Sequence, residues 1–234
     1  MKQFDSLAQM YEHSTTEYSK LTAYKTSDGK PVYTYEEFRS VCDEVSKLLS
    51  SYGIASGDKV ALYSGSNPNW PVAFFSTTAF GRVSVPILPD FSENEVTNVL
   101  IHSESKALFV SERLLPKINE ECRTRLHLII DINTLKPVFV DGIEVTEESR
   151  GNETAVLTTP EAETLAAIIY TSGTTGKAKG VMLSHGNFTS NIFGAYNFYE
   201  VHSDDVFLSV LPLAHTYELS IGMLYPFSAG ACVV

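Results

Sequence analysis

With 234 residues, 44% of them hydrophobic and 19% charged, the chain is long and apolar enough to bury a real core. Its 13 Phe and 12 Tyr exclude a disordered class. Seventeen Lys and Arg against 28 Asp and Glu leave a net charge of −11, which excludes a general nucleic-acid binder, since that class needs a basic footprint.

The first helix is expected to begin at Thr34, where Thr34 and Glu37 form a capping box. Phe38, Val41, Cys42, Val45, Leu48 and Leu49 follow at helical spacing, and Gly53 closes the helix. Lys59 to Tyr63 predicts a short strand. Pro68 to Phe80 predicts a buried aromatic helix, and Val83 to Ile87 a second strand. Ser92 and Glu95 open another helix, running to about His102. Ala107 to Val110 reads as a strand, Glu112 to Cys122 as a helix and Leu126 to Ile130 as a strand. Alternation of this kind marks a parallel sheet covered by helices.

After Asp131 the pattern changes. Asp141-Gly142, flanked by Val138-Phe139-Val140 and Ile143-Glu144-Val145, signals a hairpin. The acidic, aperiodic residues that follow read as a linker. Strand and helix resume with Leu165 to Tyr170, Val181 to Ser184, a helix near Asn187, Val206 to Leu211, and a last helix ending at Gly230. The expected organisation is a first α/β subdomain over 1–145, an acidic linker over 146–164, and the start of a second α/β subdomain over 165–234.

Cys42, Cys122 and Cys232 are odd in number and lack CxxC spacing, so they read as buried small hydrophobes rather than disulfides or zinc ligands. The polar N-terminus lacks the apolar run of a signal peptide, and no apolar stretch reaches the ~18 residues of a membrane span. The expected location is the cytoplasm. His13, His102, His127 and His202 have no partners at metal-ligand spacing, and His185 reads as structural.

The chemistry concentrates in Tyr170 to Gly180, where three glycines, four Ser and Thr hydroxyls and two lysines fall within eleven residues. Glycines let backbone amides close around an anion as a nest. Thr171, Ser172, Thr174 and Thr175 can donate to phosphate oxygens, and Lys177 and Lys179 supply charge. A polyphosphate is the expected ligand. A Walker A loop is excluded: Thr171 stands where its first Gly belongs, and Ala178 where it has Ser or Thr. The loop also runs into the apolar strand Val181-Met182-Leu183 rather than opening a helix.

The run from Ile169 to Val181, followed by Leu183-Ser184-His185-Gly186-Asn187, resembles the signature loop of the adenylate-forming superfamily. That family comprises acyl-CoA synthetases, peptide-synthetase adenylation domains and luciferases. Ala178 departs from it, where the family usually has Pro. The resemblance implies an α/β fold of layered, mostly parallel sheets flanked by helices. It implies ATP, Mg²⁺ and coenzyme A as cofactors of the intact enzyme, which joins a carboxylate to AMP and then passes the acyl group to a thiol. Residues Thr171, Ser172, Gly173, Thr174, Thr175, Gly176, Lys177 and Lys179 would grip the β- and γ-phosphates. Thr174 or Thr175 would help hold Mg²⁺; spacing does not choose between them.

Leu211-Pro212-Leu213-Ala214-His215-Thr216-Tyr217-Glu218 is similar to the family element bordering the acyl pocket, in the form of long-chain fatty acyl-CoA synthetases. The resemblance makes His215 the substrate-side candidate. The family's later Gly-x-Thr-Glu element, ribose-binding Asp and catalytic Lys have no match here. The expectation is therefore an N-terminal fragment of a long-chain fatty acid–CoA ligase with no catalytic residue of its own and little activity. The intact enzyme would work on small molecules, at most peripheral to a membrane. The apolar ending Ala231-Cys232-Val233-Val234 suggests a strand edge left unpaired, so self-association is expected. Two other readings stay open: a non-enzymatic phosphate- or nucleotide-binding module, and a peptide-synthetase adenylation domain. A kinase-like transferase fits poorly, lacking both the Walker loop and an acidic metal site.

Overall fold

The computed structural model describes residues 2–145, 156–171 and 179–234. Its framework is an eight-stranded sheet in the order β10-β9-β4-β3-β5-β6-β7-β8. The strands are β3 (Lys59–Tyr63), β4 (Val83–Ile87), β5 (Ala107–Val110), β6 (Leu128–Asp131), β7 (Lys136–Val140), β8 (Ile143–Glu144), β9 (Leu165–Thr171) and β10 (Lys179–Ser184). The five central strands are parallel, and β10, β7 and β8 add antiparallel edges. Central strands buried on both faces need unbroken apolar runs, which Val-Ser-Val-Pro-Ile and Ala-Leu-Phe-Val come close to supplying. A smaller sheet, β11-β12-β1-β2, joins β1 (Thr22–Lys25) and β2 (Pro31–Thr34) to β11 (Val206–Phe207) and β12 (Cys232–Val233).

Helices cover both faces of the large sheet. On one side α2 (Tyr35–Ser51) and α3 (Asn69–Thr78) bury Phe38, Phe74 and Phe75; on the other, α4 (Glu93–Ser103) and α5 (Glu120–Arg125) bury Val96, Val99 and Cys122. Both expected capping boxes form, at Thr34–Glu37 and Ser92–Glu95. Arg82 ties the first layer together. Its guanidinium donates to Ile54 O at 2.8 Å, Ser46 Oγ at 3.0 Å and Ser50 Oγ at 2.7 Å, and burial lowers its pKa to about 10. The Asp141-Gly142 hairpin also forms, with φ of 48° and 76°, the left-handed pair such a turn requires.

Several elements depart from the sequence expectation. A helix, α1 (Leu7–Glu17), precedes Thr34; Ser6 caps it by accepting from Gln9 N–H, and Leu7, Met10 and Tyr11 face the core. The helix expected over 112–122 is a 3₁₀ turn, Leu115–Lys117, followed by α5. Pro116 has no N–H to continue a helix, and Asn119 starts a new one as N-cap. In α6 (His185–Tyr196) the N-cap is Ser184, and Asn187 closes the capping box from N3. Regular pairing over 206–211 is confined to Val206–Phe207. The last helical stretch is a π-helix, Glu218–Leu224, continued by α7 (Tyr225–Ser228).

Strands from both sides of the acidic segment share one sheet, since Ala167 on β9 pairs with Ser84 on β4. The core is shared as well: the Phe75 and Phe227 rings lie 4.7 Å apart, and Tyr35 Oη donates to Ala231 O at 2.8 Å. The acidic segment expected as a linker over 146–164 falls between two strands of a single sheet, β8 and β9; of it, residues 146–155 lie outside those described. β12 is not an unpaired edge. It pairs with β11 on one side and β1 on the other, so the reason first given for self-association does not apply to it. All three cysteines are free and buried. Among the described residues, no helix is long and apolar enough to cross a membrane.

Candidate functional site

β9 runs parallel to β4, so Thr171 stands at the carboxyl end of the parallel strands, the edge at which ligands bind in open α/β sheets. The chain then returns as β10, with Lys179 paired opposite Thr171 and Gly180 opposite Tyr170. Residues directly opposite share a face of the ladder. Thr171 and Lys179 therefore point the same way, both exposed, and bring a hydroxyl and an ammonium together at the mouth of the hairpin. Both groups donate to anions, which fits a phosphate ligand. Of the sequence-predicted phosphate residues, Ser172, Gly173, Thr174, Thr175, Gly176 and Lys177 lie outside the described residues. The alternative Mg²⁺ ligands, Thr174 and Thr175, are among them.

The opposite face of the hairpin is an anchor. Tyr170 is 3% exposed and packs in the apolar layer shared with α4 and α5; burial raises its pKa. A Cβ on Gly180 would lie 2.8 Å from Ile168 Cγ2 and 3.1 Å from Tyr170 Cζ, so glycine is what lets the tyrosine ring lie across β10. Tyr170 Oη is hydrogen-bonded at 2.7 Å to His102 Nδ1, in the last turn of α4. No local pattern reveals this pair, because its members are 68 residues apart.

Below the hairpin, His185 starts α6 and reaches α1: its Nδ1 accepts from Leu7 N–H at 3.2 Å. The ring is 1% exposed, and burial lowers its pKa to about 4. The structural role expected of His185 is thus a tether between two helix N-termini.

The Leu211–Glu218 segment is pinned to the loop after β3. Ser66 Oγ accepts from Leu213 N–H at 3.1 Å and donates to Leu211 O at 3.4 Å. Leu213 lines a cavity of about 310 Å³ together with Tyr24, Pro71, Met223 and Val233. His215 does not line it. Its side chain is exposed, while its backbone N–H donates to Pro212 O and its carbonyl accepts from Leu219 N–H at 2.9 Å. Glu218 is buried at the start of the π-helix. A Cβ on Gly222 would lie 2.5 Å from its Oε1, so glycine makes room for the carboxylate.

Comparison with known proteins places this architecture. The family model described as AMP-binding enzyme matches residues 11–234. The peroxisomal long chain acyl-CoA synthetase 7 of Arabidopsis thaliana is 34% identical over 197 residues, covering 79% of this chain and 28% of that protein. A crotonobetaine/carnitine–CoA ligase of Escherichia coli is 30% identical over 239 residues, covering 99% of this chain and 45% of that protein. The chain spans less than half the length of either relative. Among solved structures, the inhibitor-bound N-terminal domain of FACL13 from Mycobacterium tuberculosis superposes with a TM-score of 0.79 at 23% identity, over 98% of this chain and 57% of that one. ATP-bound MatB from Rhodopseudomonas palustris gives 0.78 at 23% identity, over 97% and 44%. At these identities the structural likeness speaks for the fold alone. The family match runs through both sheets and both sides of the acidic segment. It is therefore nearly the whole chain, not the loop alone, that makes this protein a member of the AMP-binding, adenylate-forming enzymes.

Proposed function

We propose that the chain is the phosphate-gripping N-terminal part of an AMP-forming acid–thiol ligase of the long-chain fatty acid–CoA type. The observation that carries this reading is the Thr171–Lys179 pair at the carboxyl edge of the parallel strands, bracketing the Gly- and Thr-rich loop. In the intact enzyme a fatty carboxylate oxygen attacks the α-phosphorus of ATP, and the bond to the β-phosphate oxygen breaks, releasing pyrophosphate. A thiolate, that of coenzyme A, then attacks the acyl carbonyl and AMP leaves. The role of Thr171, Ser172, Gly173, Thr174, Thr175, Gly176, Lys177 and Lys179 is to hold the departing pyrophosphate by amide, hydroxyl and ammonium donors, which steadies the charge that develops on it. Mg²⁺, held partly by Thr174 or Thr175, would neutralise phosphate charge when bound. His215, exposed at the head of the last helical stretch, is assigned to the acyl side. The long-chain assignment leans on the 34% identical plant relative and on the Pro-Leu-Ala-His-Thr-Tyr-Glu form of that segment.

Two results are expected. The 234-residue chain binds pyrophosphate, measured by calorimetry, and Lys179→Ala weakens binding about tenfold, the loss of one charge-assisted contact of roughly 1.4 kcal/mol. The same chain gives no ATP–pyrophosphate exchange above background with a panel of fatty acids. Robust exchange would show that it carries the complete adenylation machinery and would overturn the fragment reading.

Self-association is also expected, but through a different strand from the one the sequence suggested. β11 is one of the two outer strands of the small sheet, and Val206 in it and Leu208 and Val210 just beyond it are 60%, 71% and 75% exposed at alternating positions. An apolar edge of this kind pairs readily with a second copy. Light scattering should give a mass that rises with concentration, and Leu208→Lys should restore the monomer. A monomer at every concentration rules the contact out.

A further inference from the structure

We propose that His102 is a positioning residue for the phosphate hairpin: by holding the Tyr170 hydroxyl it fixes the end of β9 and β10 that presents Thr171 and Lys179. This inference rests on the phosphate-gripping reading above. Among the described residues β10 is an edge strand, paired only with β9, and Val181 and Met182 along it are exposed. Edge strands fray readily, because one row of backbone groups and one face lack protein partners. The hairpin end therefore needs an anchor from outside its own ladder. Tyr170 supplies one on both sides of its ring. The ring lies across Gly180 of the partner strand, and its hydroxyl reaches His102 Nδ1 at 2.7 Å, with the two rings edge to face at 89°.

The far end of the clasp is itself fixed. α4 is closed at its start by the Ser92–Glu95 capping box and packs Val96, Val99 and Leu100 into the same layer as Tyr170. The connection runs from a packed helix through one hydrogen bond to the residue immediately before Thr171. Neighbouring strand positions are about 3.3 Å apart, so small rotations at Tyr170 pass directly to the Thr171–Lys179 pair. A phosphate can be gripped by both Thr171 and Lys179 only if their separation is held. The clasp holds it without occupying the phosphate side of the hairpin.

The test uses the 234-residue chain and three variants. His102→Ala removes the contact, Tyr170→Phe keeps the ring but not the hydroxyl, and His102→Asn places an amide where Nδ1 stood. Amide hydrogen exchange is read at the protected positions of the Tyr170/Gly180 end, beside pyrophosphate affinity and Tm. We expect His102→Ala and Tyr170→Phe to speed local exchange about tenfold and to weaken pyrophosphate about fivefold with Tm held, and His102→Asn to restore both. Local exchange unchanged in His102→Ala overturns the proposal, whatever pyrophosphate does. A lowered Tm with faster exchange throughout, unrescued by Asn, also overturns it and makes the pair merely structural. A wild-type chain that shows the local exchange effect but binds no pyrophosphate supports the clasp and overturns the phosphate reading instead.

Discussion

Acidification from pH 6.5 to 4 is expected to remove about 3 kcal/mol of stability through His185 alone. The ring is buried and desolvated, which lowers its pKa from 6.5 to about 4. In the unfolded chain it protonates near 6.5, so between the two values the unfolded state binds more protons. Stability is fully present above pH 6.5, falls as the pH drops toward 4, and receives no further penalty from this group below that. Protonation would also turn Nδ1 into a donor facing the Leu7 N–H that it now accepts from, at the positive ends of α1 and α6. Urea unfolding at pH 7.5, 6.0 and 4.5 measures the effect, and the difference from His185→Asn isolates it from carboxylate titration. Asn keeps an acceptor for Leu7 N–H but does not titrate. Wild type and variant losing stability in parallel across this range would show that His185 does not carry the dependence.

The second large effect is expected at Gly180. Gly180→Val should destabilise by about 1–3 kcal/mol, the usual cost of forcing extra carbons into a packed site. The new Cβ would sit 2.8 Å from Ile168 Cγ2, and its methyls would press on a Tyr170 ring already fixed by His102. Because β10 is an edge strand, part of the strain can escape by fraying, so pyrophosphate affinity should fall together with the unfolding free energy. Gly180→Ala should show the same signs with smaller size. Val181→Thr, at an exposed neighbour, should stay within about 0.5 kcal/mol. A Gly180→Val chain with wild-type stability and affinity would mean the ring has room that the geometry denies.

The sequence made a large part of this legible because the determinants are local. The Thr34–Glu37 and Ser92–Glu95 boxes close over three residues, and the apolar runs of β3, β4 and β5 need no distant partner to be recognised. The expectation of an anion ligand came from the composition of residues 171–179 alone. α1 was not among the expected elements, although its signal is local too: Leu7, Met10 and Tyr11 stand at i, i+3 and i+4, and Ser6 and Gln9 at capping-box spacing. His102 was set aside for lack of a metal partner, while its actual partner is a tyrosine on another strand.

Taken by itself, the sequence determined the alternation of strands and helices and the family resemblance, and it carried the expectation of a phosphate ligand. Hydrophobic period, capping residues and glycine placement act within a few residues of one another. Tertiary structure alone decided which strands are neighbours. It put β9 beside β4, enclosed β12 between β11 and β1, and left β11 at one edge of the small sheet. It turned Leu213 rather than His215 toward the cavity, and made His102 and His185 the partners of Tyr170 and Leu7. Such contacts depend on burying apolar faces from distant segments against one another, and that burial selects among pairings which are locally equivalent.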